Sequence, residues 1–167
     1  MKKLGLLALT FLLLSVSGCN PKEDKEILEP GLISSEKSLP LSFEQMASEH
    51  DQEKYVVERV KNKKDYRKMW NKFQMKEELV DIDTEAKDVL FIGLFESSSC
   101  SYDINDTFAN SEKNELEVNL SSKSGNCTAD ASPRNFVLTL DKSVSNELST
   151  VVLVDGVQRI SLPINDK

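Results

Sequence analysis

The chain has 167 residues, 28 acidic and 21 basic side chains, a net charge of −7, and few glycines and prolines. That length suits one ordinary domain with one core. The acidity argues against nucleic-acid binding, which needs a basic footprint, and the composition excludes collagen-like or low-complexity polymers.

The chain opens with Lys2 and Lys3, followed by an apolar run from Leu4 to Leu14. A permanent bilayer span needs about 20 apolar residues, so this run is too short for one. Small residues then lead through Val16-Ser17-Gly18 into Cys19. A positive start, a short apolar core and a small-residue cleavage site describe a secretory signal peptide. The cysteine directly behind the small pair resembles the lipobox of bacterial lipoproteins. That resemblance implies cleavage between Gly18 and Cys19 and a diacylglycerol on Cys19. Each buried methylene contributes about 0.8 kcal/mol and one chain alone holds only marginally, so durable anchoring takes the two chains a diacylglycerol brings. The expected address is the extracytoplasmic face of the cell membrane. Loss of residues 1–18 removes two lysines and no acids, leaving 149 residues with a net charge of −9.

Residues 19–53 read as a lipidated flexible tether. Lys22 to Glu29 is mostly charged, Pro30-Gly31 and Pro40 break regular patterns, and the large apolar residues are isolated. Such a stretch buries too little surface to offset its ordering entropy. Within it, Ser42 to His50 reads as a short helix with Phe43 and Met46 on one side.

Residues 54–167 read as the folded domain. Tyr55 to Val60 is rich in strand formers and stops at Lys61-Asn62-Lys63-Lys64. Tyr66, Met69, Trp70 and Phe73 then fall at i, i+3, i+4 and i+7, an amphipathic helix that Asn62 or Asp65 can cap. Trp70, the only tryptophan, reads as a core anchor. Val89 to Phe95 is continuously apolar and suits a strand covered on both faces. Tyr102 to Phe108 alternates loosely, Leu116, Val118 and Leu120 alternate with polar residues, and Phe136 to Leu140 is a further strand. Thr150 to Val154 and Val157 to Ile164 flank Asp155-Gly156, a strong hairpin signal. The order predicts an α+β fold: a mostly antiparallel sheet or small β-sandwich with one packed amphipathic helix.

With Cys19 assigned to lipid, Cys100 and Cys127 remain in an exported chain, where one disulfide is the natural reading. It closes a loop worth about 3 kcal/mol on the chain-entropy view. Two free thiols or a metal pair are the alternatives. A metal site needs about four ligands, and the only histidine, His50, lies in the tether.

The chemistry needed for catalysis is sparse. Ser97-Ser98-Ser99 lacks a partner base and reads as a turn. There is no phosphate loop and no Gly-x-Ser-x-Gly. Asp81, Asp83, Glu85 and Asp88 crowd together, a pattern open to glycoside hydrolysis or calcium, but the run lacks the glycine and spacing of a calcium loop. Lys61, Lys63, Lys64, Arg67, Lys68, Lys72 and Lys76 surround the helix. Lys64, Lys68 and Lys72, four apart, form a basic stripe opposite the apolar one. This stripe is a candidate face for anionic lipid, acidic polymer or an acidic partner, or simply a solvated face.

Lys63-Lys64-Asp65-Tyr66 through Trp70 and Phe73, then Val80-Asp81-Ile82-Asp83, a hydrophobic strand and serines before Tyr102-Asp103-Ile104 resemble the PrcB C-terminal domain family. Cys127 and Ser132-Pro133-Arg134 leading into Phe136-Val137-Leu138 extend the likeness over residues 54–145. The chain departs from the family at Cys100-Ser101-Tyr102, where a Gly-Tyr pair is usual, and at Val-Asp-Ile-Asp, where Val-Asp-Phe is usual. The family is named for a non-catalytic lipoprotein subunit that supports a surface protease. The resemblance thus implies an accessory module at the cell surface, supporting or restraining an exported protease, with no catalytic residue to carry over and no cofactor. Other readings are a small-ligand or ion-binding lipoprotein, and a hydrolase using the acidic cluster. The expected partners are the membrane, through Cys19, and an exported protein, not nucleic acid.

Replacement of Cys19 by alanine is expected to release the protein from membranes. Alkaline washing followed by fractionation reads this directly, and a Cys19→Ala protein that stays in the pellet contradicts the anchor.

Overall fold

The computed structural model describes residues 25–28, 31–49, 54–110, 112–122 and 125–167. The expected signal peptide, residues 1–18 with Gly18 at its end, and the expected lipid site Cys19, together with His50, lie outside them. Two five-stranded sheets stack into a sandwich, and helices cover the outer face of one sheet. The elements are β1 (Lys25–Leu28), β2 (Leu32–Glu36), α1 (Phe43–Ser48), β3 (Tyr55–Val60), α2 (Lys63–Lys72), β4 (Lys87–Glu96) and β5 (Tyr102–Asn110). They continue with β6 (Glu115–Ser122), β7 (Ser132–Asp141), α3 (Lys142–Ser145), β8 (Thr150–Asp155), β9 (Gln158–Pro163) and β10 (Asn165–Asp166). One sheet runs β1-β5-β6-β8-β9 and the other β10-β3-β4-β7-β2. Pairing is antiparallel except for β6 with β8 and β3 with β10.

The sequence pattern explains why this is a three-layer molecule. In β4, Leu90, Ile92 and Leu94 face the other sheet, where Leu116, Val118 and Leu153 meet them. The intervening Val89 and Phe91 point the opposite way, beneath the helices. Tyr66, Met69 and Trp70 of α2, with Phe73 behind it, cover that face, joined by Phe43, Met46 and Ala47 of α1. Phe73 packs on Phe91 with ring centroids 5.1 Å apart, and Phe43 meets Phe95 edge-on at 5.1 Å. Each buried aromatic of this kind contributes roughly 1.5–3 kcal/mol. Asn62 caps α2, its side chain accepting the Asp65 N–H at 2.9 Å. The helix ends in a Schellman motif, with the Gln74 N–H on the Asn71 carbonyl and the Met75 N–H on the Trp70 carbonyl.

Three findings differ from the sequence expectations. Residues 31–49 are not a tether. β2 pairs with β7, and α1 buries Phe43, Met46 and Ala47 against the sheet. The ordering cost is met because these apolar residues converge on one site that only the folded sheet presents. Ahead of them, the β1 backbone already pairs with β5. The β8–β9 hairpin turns on Gly156-Val157 rather than Asp155-Gly156, because Asp155 pairs with Gln158. Gly156 takes φ 57° at the first loop position, which suits a II′-type turn.

The two ends of the sandwich are chemically distinct. At one end, hereafter the α3 end, the fully buried Asp88 accepts from Lys142 Nζ and the Ser145 hydroxyl, both at 2.8 Å. Beside it Arg59 donates to the carbonyls of Ser145 and Leu148 and to Asp166. At the other, the disulfide end, Cys100 in the β4–β5 turn is bonded to Cys127 in the β6–β7 connection. The disulfide expected from the sequence is present.

Gly93 sits opposite Asn135 in the register, under the helices. A Cβ there would lie 2.8 Å from Leu39 Cδ2, 3.1 Å from Phe43 and 3.2 Å from Phe73. Gly93→Ala is therefore expected to cost about 1–3 kcal/mol by overpacking, read as a lowered thermal midpoint with the circular dichroism spectrum unchanged. An unchanged midpoint would mean the helices ride loosely on the sheet.

Candidate functional site

The serine run is a turn, as expected: the Cys100 N–H returns to the Ser97 carbonyl at 3.2 Å. Its hydroxyls gather on Thr128 across the disulfide, Ser97 at 3.0 Å and Ser99 at 3.1 Å from Thr128 Oγ1. Thr128 donates to Asp130 at 2.5 Å, and the Ser98 N–H donates to the same carboxylate oxygen at 3.1 Å. The Thr128 hydroxyl, then Ser98, hold Asp130 down at about 2. A carboxylate that weak is a poor general base at neutral pH, so the cluster is a polar weld between two loops rather than an activated nucleophile.

The acidic run does not converge. Asp81 is exposed and pairs with Lys63 at 2.7 Å, a bond that lowers its pKa. Asp83 accepts the Glu85 N–H at 3.0 Å in a turn. Asp88 points into the α3 end. Among the described residues no three acidic, cysteine or histidine side chains are arranged to hold a metal ion. No described helix is long and apolar enough to cross a membrane. Lys64 and Lys68 stand exposed on α2 with Lys72 half-buried, on the face turned away from the core.

One concavity was not foreseen. A cleft of about 620 Å³ opens at the disulfide end of the helical layer. Its floor is Leu39, Phe43, Phe95 and Pro133, and its rim carries Lys37, Lys76 and Glu44. Leu41 stands at its lip, 95% exposed. Local geometry explains how it stays open. Pro40 leads into α1, its carbonyl accepting the Phe43 N–H at 3.0 Å. Gln74, held at φ 57°, donates its side-chain amide to the Leu39 carbonyl at 2.6 Å. The Glu36 carboxylate accepts the N–H groups of Lys76 and Glu77 at 2.9–3.0 Å, fixing the loop that carries the basic rim. A floor of aromatic and aliphatic carbon under a rim of two ammonium groups and one carboxylate is net positive, and suits an apolar side chain with acidic neighbours.

No protein-family model, curated protein or solved structure matches the chain. The cleft draws on the β2–α1 connection, the α2–β4 connection and the ends of β4 and β7, so no local motif announces it. The one signal was Phe43, Met46 and Ala47 at helical spacing in a stretch otherwise read as tether.

Between the sheets at the same end lies a crevice of about 20 Å³ lined by Tyr55, Tyr102 and Asp155 among others, room for about one water. Tyr102 donates its hydroxyl to Asp155 at 2.8 Å. Burial first, then Asp155, raises Tyr102 to about 12. Because the fold favours the protonated phenol while an unfolded tyrosine ionises near 10, this contribution is complete below pH 10 and is lost as pH rises from about 10 to 12. Denaturant melts across that window are expected to show falling stability, with a shallower fall in Tyr102→Phe. An identical slope in the variant would remove Tyr102 from the account.

Proposed function

We propose that the protein is a membrane-anchored extracytoplasmic lipoprotein whose domain is a non-catalytic docking module. It takes a segment of an exported protein, an apolar side chain flanked by carboxylates, into the cleft beside Leu41. The observation that carries this reading is the cleft: an apolar floor under Lys37 and Lys76, with a leucine left 95% exposed at its lip. A volume of about 620 Å³ also falls within the range of small-ligand sites, but those bury most of their ligand. A cleft this open suits an extended chain that passes through it. The lipobox resemblance supports the anchor. The likeness to the PrcB C-terminal family supports an exported protease as the partner to be helped or restrained. The basic stripe of Lys64, Lys68 and Lys72 leads by sequence toward Lys76 on the rim, and it adds long-range attraction for an acidic partner.

The test uses a photo-crosslinking residue at Leu41 in intact cells. One adduct of defined mass is expected, and a Lys37→Glu, Lys76→Glu double variant should lose it. Binding of the purified partner should weaken at least tenfold, the effect of about 1.4 kcal/mol. Both rim lysines lie on connections at the surface, so the circular dichroism spectrum should not change. Undiminished crosslinking in the double variant would overturn the reading.

A further inference from the structure

The chain enters the fold at the α3 end. Lys25, the first residue of β1, pairs with Asn110 at the far end of β5, next to the turn into β6. The Ser149 N–H bonds to the Asn114 carbonyl at 2.9 Å, and Arg59 reaches the Leu148 carbonyl at 3.0 Å. These bonds tie that turn to the α3 end of the other sheet. The cleft lies at the opposite end, where Phe95 and Pro133 close β4 and begin β7. β4, ten residues long, measures about 33 Å along its axis.

From these positions we infer that the domain stands on the membrane with its α3 end down and its cleft directed away from the lipid. The inference rests on the lipid attachment to Cys19 proposed above. From Cys19 to Lys25 there are six Cα steps, which reach no more than about 22 Å even when fully extended. With the disulfide end on the bilayer, Lys25 would stand about 30 Å above it, out of reach. With the helical layer down, two layer spacings of about 10 Å each plus the side chains beneath α2 again exceed that reach. Lying on the exposed face of the β1-β5-β6-β8-β9 sheet would press Asp103 and Asp106 toward anionic headgroups, which repel them, while Glu117 is balanced there by Arg159 at 2.8 Å. At the α3 end Lys61 meets Asp166 at 2.8 Å, Lys142 meets Asp88 at 2.8 Å and Lys87 meets Asp141 at 3.7 Å, so these three carboxylates are already balanced, and the exposed Glu112 of the β5–β6 turn has Lys113 next to it in the chain.

The orientation can be read with the full lipidated chain in phosphatidylglycerol-containing vesicles that carry a headgroup energy-transfer acceptor. Donors are placed on Glu112→Cys, exposed in the β5–β6 turn, and on Leu41→Cys at the cleft lip. The Glu112→Cys donor is expected to transfer several-fold more efficiently than the Leu41→Cys donor. About thirty Gly/Ser residues inserted after Asn20, with a root-mean-square span of about 30 Å, should bring the two toward equality. Equal transfer with the natural spacing, as a domain lying on its β1 edge would give, overturns the orientation while leaving the anchor standing. Protein that fails to float with the vesicles overturns both.

Discussion

Everything in this fold hangs on β4 having no polar face. A strand in a two-layer sandwich alternates apolar and polar residues, because one side meets water. β4 alternates apolar with apolar, Leu90, Ile92 and Leu94 on one side and Val89 and Phe91 on the other. The second face obliges the chain to supply another layer, and α1 and α2 exist to supply it. At Gly93 the strand gives up its side chain, which lets Leu39, Phe43 and Phe73 close over the backbone. The same vacancy brings the β2–α1 connection down against the end of β4, and so forms the wall of the cleft.

Where the apolar faces of the sheets run out, charge takes over, and it is arranged in small groups around Asp88 and Glu96. Asp88 would cost several kcal/mol as an isolated buried carboxylate, but it is held by Lys142 and Ser145. Glu96 at the other end accepts the Tyr102 N–H at 2.7 Å and Arg134 Nε at 2.9 Å. Arg134 in turn donates to Ser35 at 3.1 Å, so β2 is joined to the centre of its sheet by polar as well as apolar contacts. Hydrophobic layers make the sandwich favourable, and these end groups fix its register, since a slip of one residue would turn Asp88 and Glu96 outward and strand their partners.

Much of this was legible in the sequence. The two-sided strand, the stripe on α2, the core role of Trp70 and the disulfide follow from periodicity, composition and compartment. β2 and α1 were not, for a physical reason. In Leu32-Ile33-Ser34-Ser35-Glu36 the strand lies at a sheet edge and buries little, and α1 is only six residues long. Neither carries a local signal strong enough to offset a polar, proline-broken neighbourhood, and both are stable only because β7 and the α2 aromatics are already in place. The parallel pairing of β6 with β8 was equally hidden, since β7 leaves for the other sheet between them. The cleft is illegible for the same reason carried further: its walls come from four segments, and what defines it is the space between them.

The disulfide belongs to the same argument. Residues 125–131 are exposed throughout, so the stretch that carries Cys127 buries no side chain and is not held by burial. Two devices substitute. The bond to Cys100 limits the unfolded chain, worth about 3 kcal/mol for a loop of this length, and Thr128 and Asp130 gather the hydroxyls of the serine turn opposite. This loop runs directly into Ser132-Pro133 at the start of β7, and the serine turn follows directly on Phe95 and Glu96 of β4. Pro133 and Phe95 are two of the four floor residues of the cleft. Cross-linking the loops therefore fixes the spacing of the cleft floor from behind. A loop that is not held by burial is made rigid where the surface it supports must keep its shape.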